Sequence, residues 1–90
     1  MAAEQDVVDI KKAVEEKKAV IGTERTMKSF KGGLLRVVYL AKNCPAETRQ
    51  DIDYYSTLAG VKVIQLEHPN DELGALCKKP FSISIIGVKN

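Results

Sequence analysis

No tryptophan occurs in the sequence, and histidine occurs once, cysteine twice and proline three times. Each scarcity removes a class of chemistry. Cys44 and Cys77 are far apart and fit no CxxC or zinc spacing, and the single His68 cannot complete a metal site with them. No metal is expected, and both thiols read as reduced, since free cysteine packs like a small hydrophobe. His68 precedes Pro69 in a turn, with no serine or cysteine placed near it in a triad pattern, so it reads as a solvated loop residue. Asp51 and Asp53 fall on different faces of a helix, which disfavours a paired acid and base. The Walker pattern and any glycine-rich phosphate fingerprint are missing. A chain with no catalytic residue, no cofactor and no small-molecule substrate is the expectation.

No apolar run approaches the roughly 20 residues that a membrane helix needs. The segment MAAEQDVVD carries acids where a secretory leader would carry bases. A cytoplasmic protein with no membrane partner is expected. Hydrophobic residues make up 44% and charged residues 29% of 90 positions, a globular balance that supports one packed domain over residues 1–90. The net charge of +2 is small for a nucleic-acid binder of this size, so clustering of charge matters more than its sum.

The apolar pattern alternates between helix and strand periods. From Gln5 to Lys18, the residues Val7, Ile10, Ala13 and Val14 mark one face of an amphipathic helix. AVIG follows as a short strand, and Thr23 is placed to cap a second helix through Lys31, with Met27, Phe30 and Leu34 as its inner side. LLRVVYLA reads as a central strand, and PAETRQDIDYYSTLAG as a third helix with Ile52, Tyr55, Leu58 and Ala59 inward. Tyr54 and Tyr55 cannot both face inward. VKVIQL is a third strand, Asn70 or Asp71 caps a fourth helix over ELGALCKK, and Pro80 stops it before a last strand, FSISIIGV. Lys89-Asn90 leaves no room for another helix. This order predicts an α/β fold, a three-layer α/β/α sandwich around a four-stranded mixed sheet.

In open α/β sheets, ligands gather where strand ends feed helix N-termini. Three such corners exist: Gly22–Lys28, Lys42–Pro45 and Leu66–Glu72. If the first three strands run the same way, these corners meet on one edge. The first, GTERTMK, holds more donors than a chain reversal requires, and Glu24, Lys28 and Lys31 share an exposed helix face beside Arg25. Phosphates fit that face, although Glu24 and Lys28 are also spaced as an ordinary helical ion pair.

GTERTMK matches a glycine, variable, polar, variable, threonine, variable, lysine segment. With LAKNCP, DIDYYSTLAGVKV and NDELGALCKKPF in the same order, the chain resembles the L seven-Ae / L thirty-e kink-turn RNA-binding family, and its ribosomal branch in particular. The resemblance covers nearly the whole chain. It implies a sandwich that grips a sharply bent helix–internal loop–helix RNA. Gly22 would allow close backbone approach, while Thr23, Arg25, Thr26 and Lys28 would meet phosphates or base edges. Glu24, where the family often has Asn or Lys, would accept from guanine N1 and N2 or pair with Lys28. Asn43 matches a polar contact position, and Leu66 falls where relatives set an apolar or aromatic residue against an unstacked base.

The implied partners are ribosomal RNA and other components of the large ribosomal subunit. A core protein of a small nucleolar-type RNA modification particle, or a free kink-turn regulator, would use the same surface. A phosphoacceptor or protein-interaction domain would need a carboxylate at a strand tip, and only Glu67 is so placed.

Overall fold

The inward stripe of Ile10 and Ala13, with Val14 beside it, makes α1 (Ala2–Glu15) a one-sided helix that must lie on a sheet. The computed structural model describes residues 2–89, with side chains from Val7 onward; Met1 and Asn90, the ends of the expected domain, lie outside the described residues. The elements that follow are β1 (Ala19–Ile21), α2 (Thr23–Lys31), β2 (Leu35–Leu40), α3 (Ala46–Ala59), β3 (Lys62–Gln65), α4 (Asn70–Leu76) and β4 (Ile85–Lys89).

The four strands form one mixed sheet in the order β1-β4-β2-β3. β2 and β3 pair in parallel, whereas β4 is antiparallel to both β1 and β2. The first three strands therefore run the same way, as the corner argument required. Alternation along β2 divides the core. Val37, Tyr39 and Ala41 pack with Ile86 and Val88 under α1 and α4, where Ile10, Leu73 and Cys77 close that layer. Leu35, Val38 and Leu40 pack with Ile85 under α2 and α3, against Phe30 and Ile52. These are the three layers anticipated from the sequence.

Leu35 reaches the second layer through an irregularity. Leu35 pairs with Lys89 and Val37 with Val88, so β2 advances two residues while β4 advances one. The extra residue is Arg36, which is exposed.

Several local expectations are corrected. α1 ends at Glu15, three residues before Lys18, because Lys17 adopts φ 60° and the amides of Lys17 and Lys18 fold back onto the carbonyls of Val14 and Ala13. Gly22, not Thr23, precedes the first turn of α2 as its cap. Leu34 lies beyond α2 and is exposed; Thr26 and Ser29 are buried with Phe30 instead. In α3 the inward residues are Ile52, Ser56 and half-buried Tyr55, which stacks on Phe30 at 6.3 Å between centroids. Leu58 is exposed, since six residues past Ile52 brings the helix about two-thirds of a turn away from the sheet. Ala59, in the last turn, is also exposed. Neither Asn70 nor Asp71 caps α4, whose N-cap is Pro69. The last strand starts at Ile85, so FSIS belongs to the connection rather than the sheet.

Both cysteines are free, and burial pushes their thiols above the ordinary 9.0. A group that holds its proton more tightly when folded gives stability that is complete below its unfolded pKa and lost as pH rises through the folded one. The unfolding free energy should therefore fall above about pH 9, and less steeply in Cys77→Ala, as read from urea midpoints across that range. Parallel slopes in the two proteins would contradict this.

Candidate nucleic-acid interface

Because β1, β2 and β3 point one way and β4 returns, four connections share one edge of the sheet: the corner at Gly22, the turn after Leu40, the turn after Gln65, and the segment 79–84 that leads into β4. Main-chain bonds tie them together. The Gly22 amide donates to the Ile85 carbonyl, Ala41 to Ser84, Lys42 to His68, and Ile83 to Asn70. The edge is one cross-braced surface.

Gly22 has φ 105° and ψ 151°, a conformation that side-chain-bearing residues avoid, and the space beside its Cα is open. Its carbonyl accepts twice from Thr26, at 3.1 Å from the amide and 2.8 Å from Oγ1. Thr26 is fully buried, so its hydroxyl braces the corner and is not presented outward. This corrects the reading of Thr26 as an external donor. Thr23, Glu24 and Arg25 are exposed on the first turn of α2, and Lys28 and Lys31 are exposed on its last. The acid near the N-terminus and bases near the C-terminus complement the helix dipole. Among the described residues, ion pairs join Lys12 and Lys18 to Glu16 and His68 to Glu72; Glu24 and Lys28 form none.

Asn43 and Leu66 take different parts from those expected. Asn43 is exposed, but its Nδ2 donates to Asn70 Oδ1 at 3.2 Å and its Oδ1 accepts from the Asn70 amide at 2.9 Å. It caps α4 from a neighbouring loop, doing the work expected of Asn70 itself. Leu66 is 3% exposed and packs in the core beneath α1 and α4. Its side chain is not on the surface, because the parallel pairing continues past β3 through a bond from its amide to the Leu40 carbonyl and turns it inward.

The exposed aromatic of this edge is Phe81, at 53%. A cleft of about 470 Å³ separates the corner residues Gly22, Thr23 and Arg25 from Lys79, Phe81 and Ser82. Lys28 and Lys31 are not part of its lining. The expected helix ELGALCKK takes in Lys79 and the expected strand FSISIIGV takes in 81–84, whereas α4 ends at Leu76 and β4 starts at Ile85, so the sequence passes over this side of the cleft. The available signal was Pro80, which cannot donate to a ladder and so marks a connection.

The cleft lining includes no His, Cys, Asp or Glu. Its contents include an open glycine backbone, three hydroxyl residues, two bases and an aromatic face, which suit a polyanion with exposed bases.

Residues 7–90 match the model of the Ribosomal protein L7Ae/L30e/S12e/Gadd45 family. The large ribosomal subunit protein eL30 of Methanopyrus kandleri is 39% identical over 79 residues, 88% of this chain and 72% of its own. That of Methanothermobacter thermautotrophicus is 33% identical over 81 residues, 90% of this chain and 83% of its own. Among solved structures, a 15.5kD RNA binding protein from Giardia lamblia superposes with a TM-score of 0.82 at 16% identity, covering 90% of this chain and 68% of the other. A protein of unknown function from Bacillus halodurans gives 0.83 at 20% identity, over 90% and 80% of the two chains. Sequence and fold agree, and the chain belongs to the Ribosomal protein L7Ae/L30e/S12e/Gadd45 family.

Proposed function

We propose that this protein binds RNA through the edge around Gly22 and recognises a kink-turn, as a non-enzymatic structural component of the large ribosomal subunit. The observation that carries the reading is the cleft itself: an open glycine backbone and Arg25 on one wall face Lys79 and Phe81 on the other. RNA exposes bases where a duplex bends sharply, and a surface that clasps the bend needs few base contacts and little net charge. In this reading the Gly22 backbone and Thr23 lie against the bend, Arg25 and Lys79 meet phosphates, and Phe81 stacks on a splayed base. Lys28 and Lys31 extend the positive side of α2 toward a flanking stem. Glu24, unpaired among the described residues, is available as an acceptor for guanine N1 and N2.

The relatives named as large-subunit proteins support a cytoplasmic place on the ribosome, with ribosomal RNA and neighbouring ribosomal components as partners. The test is titration of a labelled kink-turn RNA and of a matched plain duplex. The kink-turn should bind more tightly, and equal affinities would overturn the proposal. Lys28→Ala should weaken kink-turn binding a few-fold and reduce the slope of log affinity against log salt by about one, the signature of one lost phosphate contact.

A further inference from the structure

The edge opposite the Gly22 cleft carries its own concentration of positive charge. There the chain enters β1 after Lys18, β4 ends at Lys89, β2 begins with its irregularity at Arg36, and β3 opens with Lys62. A cation thus stands at this end of every strand of the sheet. With the order β1-β4-β2-β3, the row extends about 14 Å at ordinary strand spacing. Lys18, Arg36 and Lys89 also line one cleft of about 250 Å³ with Lys12, and the extra residue in β2 is what leaves Arg36 exposed beside it. The acids of that cleft are Asp9 and Glu16. Among the described residues, Glu16 is held by solvent-exposed pairs, at 4.0 Å from Lys12 and 3.5 Å from Lys18, which are weak enough for a phosphate to replace.

We infer that this edge is a second RNA-docking surface, one that takes the phosphate backbone of a duplex. Two features select the occupant. The cleft lining includes no aromatic residue, so it lacks the stacking platform that single-strand binders use. Its apolar members, Ala13 and Val88, are buried in the core, so it offers no hydrophobic anchor of the kind at the centre of a protein interface. Cations in a row without either are the equipment for backbone contact alone. The choice of RNA among polyanions rests on the RNA-binding reading above. The preference for a duplex backbone rests on the cleft. A protein with both surfaces holds two RNA segments on opposite sides of one sheet.

The experiment compares wild type, the triple variant Lys18→Gln/Arg36→Gln/Lys89→Gln and the variant Arg25→Ala/Lys28→Ala. Each is titrated with a plain RNA duplex of about 20 base pairs and with a kink-turn RNA at low salt, and its thermal midpoint is recorded. The triple variant should bind the duplex about tenfold more weakly than wild type, with a salt slope lower by about two to three, and keep its kink-turn affinity. The α2 variant should lose more kink-turn affinity than duplex affinity, and less duplex affinity than the triple variant. Unchanged duplex affinity in the triple variant overturns the inference. So does a lowered thermal midpoint without loss of duplex affinity, which would assign these cations to the helix ends nearby. Displacement of the duplex by polyglutamate at equal charge concentration would favour an acidic protein segment and overturn it too. If the kink-turn binds no better than the duplex while the triple variant still loses the duplex, the kink-turn reading fails and this one stands.

Discussion

Gly74→Ala is expected to destabilise the protein by about 2 kcal/mol, although the same change in an exposed helix would stabilise by about 1 kcal/mol. Gly74 is buried in α4, and a Cβ there would overlap the carbonyl oxygen of Phe81 and crowd its carbonyl carbon. Both neighbours are main chain, so no rotamer change relieves the overlap. The segment itself is braced: the Lys79 amide donates to the Gly74 carbonyl, Ile83 donates to Asn70, and Ser84 accepts from Ala41. Moving it breaks one or more of these bonds. Urea unfolding would report the loss, and kink-turn affinity should fall as well, because the displaced segment is one wall of the cleft. A variant as stable as wild type would mean that the approach of α4 to this segment is not confining.

Phe81→Ala should leave stability nearly unchanged and lower kink-turn affinity by roughly 10- to 100-fold, the range that loss of one stacked base gives. The side chain is 53% exposed and is not part of either core cluster, so folding has little stake in it. Phe81→Tyr or Phe81→Trp should retain binding, since both keep a ring face. Affinity unchanged in Phe81→Ala would remove this side of the cleft from the RNA contact. Paired with Gly74→Ala, it separates the ring's role from that of the segment's position.

The layers were legible because their signals are periodic, whereas the common direction of the first three strands was a condition that only the pairing supplied. Ile10 and Ala13 on α1, and the β-branched run of β2, state which sides are buried before any contact is known. The corner at Gly22 was legible too, since a glycine between a strand and a donor-rich helix has few structural explanations. Burial of individual residues at the edge was not. Thr26 reads as a surface hydroxyl until the Gly22 carbonyl is placed over it, and Leu66, at the end of the expected strand VKVIQL, reads as a contact for an unstacked base until its amide is found continuing the pairing with Leu40. Asn43 has the chemistry to touch RNA and spends it on Asn70, a partner 27 residues away that no local pattern announces. Phe81 was hidden by alternation: FSIS looks like the start of a strand, and only the braces to Asn70 and Ala41 make it a loop.

The place of β4 sets the order in which the molecule can assemble. As the last strand in sequence it lies between β1 and β2, which do not pair with each other. A nascent chain that has released β1, α2, β2, α3 and β3 can build the parallel β2–β3 ladder, but β1 has no strand to join and both helical layers lack part of their floor. Only the emergence of Ile85–Lys89 from the exit tunnel supplies the missing slat. Closure of the sheet is thereby deferred until β4 is made, a non-local step that slows folding and holds back the Gly22 edge until then.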